Sequence, residues 1–420
     1  MPRTIRGWTT AGVIVATGAL FLTACGSGFA GNPESSPGAS SSLTSDNSKG
    51  LSVLIGSSGD AETQAVTSAV AAWSKSSGTQ AKVSVASNLP QQLSQGFSAK
   101  KPADVFYLST DYLAGYAANG SLLAYGDMLP NKADFYPSLV KSFTHDNKLY
   151  CAPKDFSTLQ LEINTDIWTK AGLTDADIPT SWDQLEAVAK KLTTGEHVGL
   201  GIGGEYARIG AFMAEAGSNL MNDDSTQATA NSDANVQALT FAKKLLSEGS
   251  MKYAKDLGAG WGGEAFGKGR AAMTIEGNWL VGGMKADYPK LKYKVVELPK
   301  GPAGQGTLQF TNCWGIAADS PNQAGALKLV EQLTSADDQL AFSKAFGPMP
   351  SIRSAAAAWK QANPAQAPFL AGADYAKGVP TVKGAADVVS DFNSKLETLK
   401  TSDPKKILDA VQKNLEALAK

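Results

Sequence analysis

Three cysteines and two histidines are the scarcest reactive side chains in this chain, and their spacing sorts the chemistry it can do. Neither His145 nor His197 stands at metal-ligand spacing from a cysteine or from the other histidine, so zinc chemistry and histidine-based triads have no basis. Cys25 is different. Arg3 and Arg6 make a cationic start, residues 11–22 (AGVIVATGALFL) form an apolar run, and Leu22-Thr23-Ala24-Cys25 closes it. A run of about a dozen apolar residues is too short to span a bilayer but suits the core of a signal peptide. The tetrapeptide matches a bacterial lipobox. Small residues at 23 and 24 let a peptidase reach the scissile bond, and the Cys25 thiol accepts a diacylglycerol and becomes the mature N-terminus. The alternatives are an ordinary secreted protein cut nearby, or a short N-terminal anchor. Residues 1–25 therefore read as a lipoprotein signal peptide, with the chain exported and lipid-anchored to the outer face of the cell membrane.

The other two thiols, Cys151 and Cys313, either pair in an oxidising compartment or stay as separate buried thiols. Residues 26–49 (GSGFAGNPESSPGASSSLTSDNSK) hold few apolar side chains and read as a disordered Gly/Ser/Pro leash. A lipobox with a short leash fits a Gram-positive surface best. Residues 50–420 are too many for one compact core and suggest two lobes. A formal net charge of -1 argues against a nucleic-acid partner. Beyond the signal region no apolar stretch is long enough to cross a membrane.

The elements that must position any site alternate between strand and helix. Leu51–Ile55, Ala81–Val85 and Asp104–Leu108 read as strands. A helix over about 61–76 should turn Ala65, Ala69, Ala72 and Trp73 to one face, and a short helix over 111–119 closes at Gly120. Ser181 caps a helix running through Leu185, Val188, Ala189 and Leu192, and another spans 233–247 with Val236, Leu239, Thr240 and Leu246 inward. Amphipathic helices near 384–400 and 404–419 end the chain, packing on the second lobe. This order predicts an α/β sheet with ligands outside the strand C-termini, where Ser57 and Ser109 fall. The acidic stretches 175–177 and 222–224 lack the spacing and glycine of a calcium loop and read as solvated, so no metal or other cofactor is expected.

Several segments together resemble a known family. They are Pro102-Ala103-Asp104-Val105-Phe106-Tyr107 with Asp111 to Gly120; Tyr150-Cys151-Ala152-Pro153 through Ile163-Asn164, Ala171-Gly172-Leu173 and Pro179-Thr180-Ser181-Trp182; and Gly269 to Trp279 (GRAAMTIEGNW). Leu298-Pro299-Lys300-Gly301-Pro302, Gly315 to Pro321 and Gly347-Pro348-Met349-Pro350 follow in order. Each is weak alone; in register over roughly 50–400 they resemble the extracellular solute-binding proteins of sugar ABC transporters, typified by maltose-binding protein.

The resemblance implies a two-lobe α/β clamp of the periplasmic-binding-protein type (type II), with a hinge between lobes. By analogy the N-lobe takes 50–152 and 314–358 and the C-lobe 157–310 and 359–420. The family's hinge strands fall at 150–158 and 311–316, so Cys151 and Cys313 would staple the hinge if those strands are neighbours. A sugar offers flat apolar faces and a rim of hydroxyls, so its site needs aromatic planes and paired polar groups. Trp279 matches the family's stacking aromatic and Asp111 its sugar-binding acid. Ser157 replaces a second-lobe carboxylate, a role Asp155 could take over. Glu205 and Tyr206 match a loop carrying an acid and an aromatic. Trp261, Trp314, Glu276, Asn278, Asn312 and Arg353 complete the candidate ligand contacts. The implied protein is no enzyme: a monomer captures an oligosaccharide by hinge closure and delivers it to the transmembrane subunits of an ABC permease. The same clamp binding a polyamine or another small solute is the second reading, and a secreted glycoside hydrolase the third.

Overall fold

The computed structural model describes residues 43–418, so the signal peptide, Cys25 and most of the leash lie outside the described residues. Residues 43–49, assigned above to the leash, are docked on the body. The Thr44 N–H donates to Gln323 Oε1 at 3.1 Å and its hydroxyl to the Ser320 carbonyl at 2.8 Å. In return the N–H groups of Gln323 and Ala324 donate to the Thr44 hydroxyl and carbonyl. Thr44 thus satisfies amides at the start of the helix Gln323–Leu333, which has no intrahelical acceptors for them.

The first lobe is built on the parallel strands Leu51–Ile55, Ala81–Val85 and Val105–Ser109. Strand Thr307–Ile316 joins their edge antiparallel to Val105–Ser109. Val53, Ile55, Val105, Leu329, Val330 and Leu333 lie in its core. The helix Asp60–Ser77 forms as expected, but its buried stripe is Val66, Val70 and Trp73, and Ala72 is exposed. The valines bury more apolar area than the alanines, so they set the rotation of the helix. Helix Leu89–Ser98 was not anticipated: only Leu93 is buried, and its start rests on Asn88, whose side chain accepts the Gln91 N–H at 3.1 Å.

The second lobe holds a five-stranded mixed sheet in the order Tyr293–Val296, Gln160–Asn164, Ala271–Glu276, Val198–Ile202 and Met251–Tyr253. Helix Trp182–Leu192 covers it, capped by Ser181 and burying the predicted Leu185, Val188, Ala189 and Leu192. In Asp233–Glu248 the buried face is Ala238, Leu239, Ala242, Leu245 and Leu246, whereas Thr240 faces solvent and its hydroxyl donates to the Val236 carbonyl. The terminal helices Ala385–Leu396 and Pro404–Leu418 insert Phe392, Leu408, Val411 and Leu415 into this lobe's core.

Two strands connect the lobes. Cys151–Thr158 runs antiparallel to Thr307–Ile316, pairing Gln309 with Thr158 at one end and Gly315 with Cys151 at the other. Cys151 and Cys313 are fully buried and disulfide-bonded, with Cα atoms 5.5 Å apart. The result is the two-lobe α/β clamp that the resemblance implies.

The disulfide closes a loop across 162 residues of sequence separation. Replacing both cysteines by alanine should lower the unfolding free energy by roughly 2–5 kcal/mol, because the unfolded chain regains the conformations that the crosslink removes. Urea denaturation of the double variant checks this; an unchanged midpoint would show that the crosslink does not stabilise the hinge.

Candidate functional site

Between the lobes lies a cleft of about 1240 Å³, walled on the first-lobe side by loop 56–62 and residues 109–111. The hinge contributes residues 154–157 and 309–312, and the second lobe contributes Asn278, Trp279 and the inner face of the helix Trp279–Asp287. Parallel strands in the first lobe end here, where the sheet delivers loop and helix-start residues. Ser109, Asp111, Asp155, Asn278, Trp279 and Asn312 are thereby brought together around one space.

Trp279 is the cleft's exposed tryptophan. It is 38% accessible although large and apolar, and it opens its helix directly after strand Ala271–Glu276. Its indole N–H donates to Glu276 Oε2 at 2.9 Å, and the Arg208 guanidinium lies 5.3 Å from its ring centroid. Phe310 from the hinge strand meets it edge-on at 5.6 Å. Asn278 ties the two sides: its N–H donates to the Ser157 hydroxyl at 2.8 Å and its amide to the Gly347 carbonyl at 2.9 Å.

At the hinge a β-bulge sets the electrostatics. Asp155 lies opposite Asn312 and Pro153 opposite Cys313, so Lys154 is the extra residue. Neighbours in a regular strand point to opposite faces, whereas here Lys154 and Asp155 both line the cleft. Lys154 pairs with Asp155 and with Glu62, the latter at 3.4 Å, and caps the Tyr107 ring at 4.4 Å. Tyr107 in turn donates its hydroxyl to Glu62 Oε1 at 3.0 Å. Burial works against the Lys154 charge, but the two carboxylates outweigh it and hold its pKa above the ordinary lysine range. Burial likewise pushes Glu62 up, yet Lys154 and the hydrogen bonds from Ser58 carry it below the usual carboxylate value. For Asp155 burial wins, and its pKa is raised.

Several expected contacts lie elsewhere. Ser57 turns to the start of the following helix, donating to the Gly59 carbonyl and accepting from the Thr63 hydroxyl, and leaves Ser58 to line the cleft. Trp314 is 1% exposed and packs against Tyr107 at 4.6 Å, because its strand position faces the first-lobe core. Trp261 is drawn onto Phe266, Leu280 and Met284 and is not a cleft wall. Tyr206 borders the cleft, but its ring is 1% exposed and its hydroxyl is bonded to Asn219, so it offers no stacking plane. Glu205 stands at the start of the helix Tyr206–Glu215 and pairs with Arg208 at 3.5 Å. Glu276 is 0% exposed, beneath Trp279 rather than at the surface. Arg353 points away, donating to the Ala133 carbonyl. Conversely, Glu62, Phe310 and Phe346 line the cleft without having been singled out. Phe310 and Phe346 sit in no distinctive motif; Glu62 is drawn in by the bulged Lys154, which no local pattern announces.

A two-lobe clamp around an interlobe cleft with a presented tryptophan is the architecture of a solute-binding protein. The family model for the bacterial extracellular solute-binding proteins matches residues 68–368, and the chain belongs to that family. A binding protein of Brucella abortus (strain 2308) is 25% identical over 349 residues, covering 79% of this chain and 83% of that protein. The diacetylchitobiose binding protein DasA of Streptomyces coelicolor is 25% identical over 273 residues, 63% of this chain and 64% of its own length. Among solved structures, the cyclic α-maltosyl-1,6-maltose binding protein of Arthrobacter globiformis superposes with a TM-score of 0.78. That match covers 88% of this chain and 99% of that one at 20% identity, a likeness of fold.

The hinge cation gives a direct test. Lys154→Met strands two carboxylates in a buried position, and breaking such a network costs about 3–5 kcal/mol at neutral pH. In the variant Glu62 and Asp155 lose their cation, so the folded-state pKa of Glu62 rises above its unfolded value and that of Asp155, already raised, rises further. Protonation then favours the native state, and the deficit should shrink as pH falls from 8 to 5. Urea titrations at both pH values check this; a deficit independent of pH would contradict the assigned ion pairs.

Proposed function

We propose that this chain is the lipid-anchored substrate-binding component of an ABC importer, capturing an oligosaccharide by hinge closure and handing it to the permease. The observation that carries the reading is Trp279: a large indole left 38% exposed inside the cleft, where Asp111 stands on the opposite lobe. An aromatic plane for the apolar face of a pyranose and polar groups for its hydroxyls are what a sugar site requires. Asn312, Asn278, Ser109 and Asp155 supply further hydrogen-bonding groups around the same space. The relatives support the ligand class, since DasA binds diacetylchitobiose and the Arthrobacter protein a cyclic maltosyl-maltose. The lipid anchor rests on the lipobox at Cys25.

In this reading the lobes are 50–152 with 314–358, and 157–310 with 359–420. Support comes from the cores: Leu329 and Val330 pack with the first lobe, and Phe392 to Leu415 with the second. A ligand touching both lobes is fully held only when they close, so binding shifts the population to the closed form that the permease recognises. Cys151 and Cys313 join strands that both lobes share, leaving rotation to the residues beyond the crosslink.

The polyamine reading loses ground because three of its four candidate carboxylates are already engaged. Asp155 is paired with Lys154, and Glu205 and Glu276 with Arg208; Asp111 stands without an ion pair among the described residues.

The test is a thermal-shift screen of the chain carrying Cys25→Ser against neutral oligosaccharides, with spermidine and metal ions alongside. A ligand at about 100 times its Kd should add about 2.7 kcal/mol of stability. A sugar should stabilise the protein, be recovered intact, and lose its effect in Trp279→Ala. Stabilisation by spermidine or metal alone would overturn the sugar assignment, and recovery of a cleaved sugar would overturn the binding-protein reading.

A further inference from the structure

Trp279 cannot hold its posture by burial, since more than a third of it is in solvent, and the first residue of a helix has little of the helix's own packing to brace it. What fixes it lies underneath. Glu276 is 0% exposed and uses Oε2 as a common acceptor: the Trp279 indole N–H approaches at 2.9 Å, Arg208 Nη2 at 2.5 Å and Arg208 Nε at 3.1 Å. The Glu276 backbone N–H donates to Glu162 Oε2 at 3.0 Å, which secures the strand end from which the carboxylate projects. Arg208, itself only 12% exposed along its side chain, is held from its other side by Glu205 at 3.5 Å. Its guanidinium lies over the indole, 5.3 Å from the centroid, and so occupies one of the two ring faces.

We infer that Glu276 and Arg208 are positioning residues that lock the Trp279 indole in one orientation and cover one of its faces, so that the site presents a single stacking face to one sugar ring. This rests on the sugar-binding reading for its consequence but not for its structural content. Glu276 thereby changes role: it acts on the ligand through Trp279 and does not touch it. A buried carboxylate next to a cation is the suitable acceptor, because hydrogen bonds to charged groups are stronger and directional. A ring held in place beforehand loses no rotamer freedom when the ligand arrives, which favours affinity.

The test labels the chain with 5-fluorotryptophan and reads ¹⁹F resonances without ligand, assigning the Trp279 signal by its disappearance in Trp279→Phe. In Glu276→Leu and Arg208→Met the Trp279 resonance should shift or broaden while the other tryptophan signals stay in place. In Glu276→Gln, which keeps an acceptor oxygen for the indole, the signal should stay closer to its original position. If Glu276→Leu fails to fold, Arg208→Met and Glu276→Gln carry the comparison. A Trp279 resonance unmoved in the folded Arg208→Met protein would overturn the inference. In a second arm, maltotriose and diacetylchitobiose are titrated by calorimetry. Whichever binds the unmodified chain should bind Arg208→Met at least about tenfold more weakly, the scale of one lost charge-assisted hydrogen bond. Equal affinity would overturn the inference. If neither sugar binds the unmodified chain, the sugar reading fails, while the ¹⁹F result still decides the positioning role.

Discussion

The antiparallel pairing of Cys151–Thr158 with Thr307–Ile316 is the constraint on which the rest of the molecule depends. The longer strand belongs to both lobes, bonding Val105–Ser109 toward its end and Ala376–Lys377 at its start. Because it is shared, the two lobes are tied along one line, and the cleft lies over its hinge residues. The crosslink sits at the first-lobe end of this ladder, at Cys313. Phe310, Thr311 and Asn312, which line the cleft, lie on the other side of the bulge from it.

The bulge then determines where charge can stand. By inserting Lys154 it turns a cation toward Glu62 and Asp155, and this neutralises the carboxylates nearest the hinge. A second cation, Arg208, does the same for Glu205 and Glu276 in the second lobe. The buried acids at and beneath the cleft, Glu62, Asp155 and Glu276, are thus paired within the protein, and what faces the ligand space is a mixture of amide, hydroxyl and aromatic groups with acids of one sign, Asp60 and Asp111, and lysines of the other, Lys285 and Lys344. Such a surface suits a neutral, polyhydroxylated solute better than a polycation, which would need those acids unpaired.

Much of the architecture was legible in the chain. Strand Leu51–Ile55 is a largely apolar run between Gly50 and Gly56, Ala81–Val85 alternates apolar and polar residues, and Ser181 announces its helix by a side chain that caps it. Where periodicity failed, it failed on small differences. Alanine and valine both read as apolar, so periodicity sets the stripe on Asp60–Ser77 one residue off, and Thr240 reads as inward because its β-branched carbon mimics valine. The docking of Thr44 depends on carbonyl and amide partners nearly three hundred residues away, which local composition does not carry.

For the site, residues at strand ends were foreseeable and those defined by neighbours were not. Asp111 and Trp279 stand at the ends of buried strands, and the sheet delivers them to the cleft. Trp261 and Trp314 looked equally available, but apolar neighbours claimed both, and a sequence does not reveal which large aromatics will be left unclaimed. If a solute closes this clamp about its paired hinge strands, the lobes draw together on binding. Small-angle X-ray scattering with and without a saturating sugar measures this. The radius of gyration should fall on binding, with the disulfide intact; an unchanged radius at full occupancy would rule closure out.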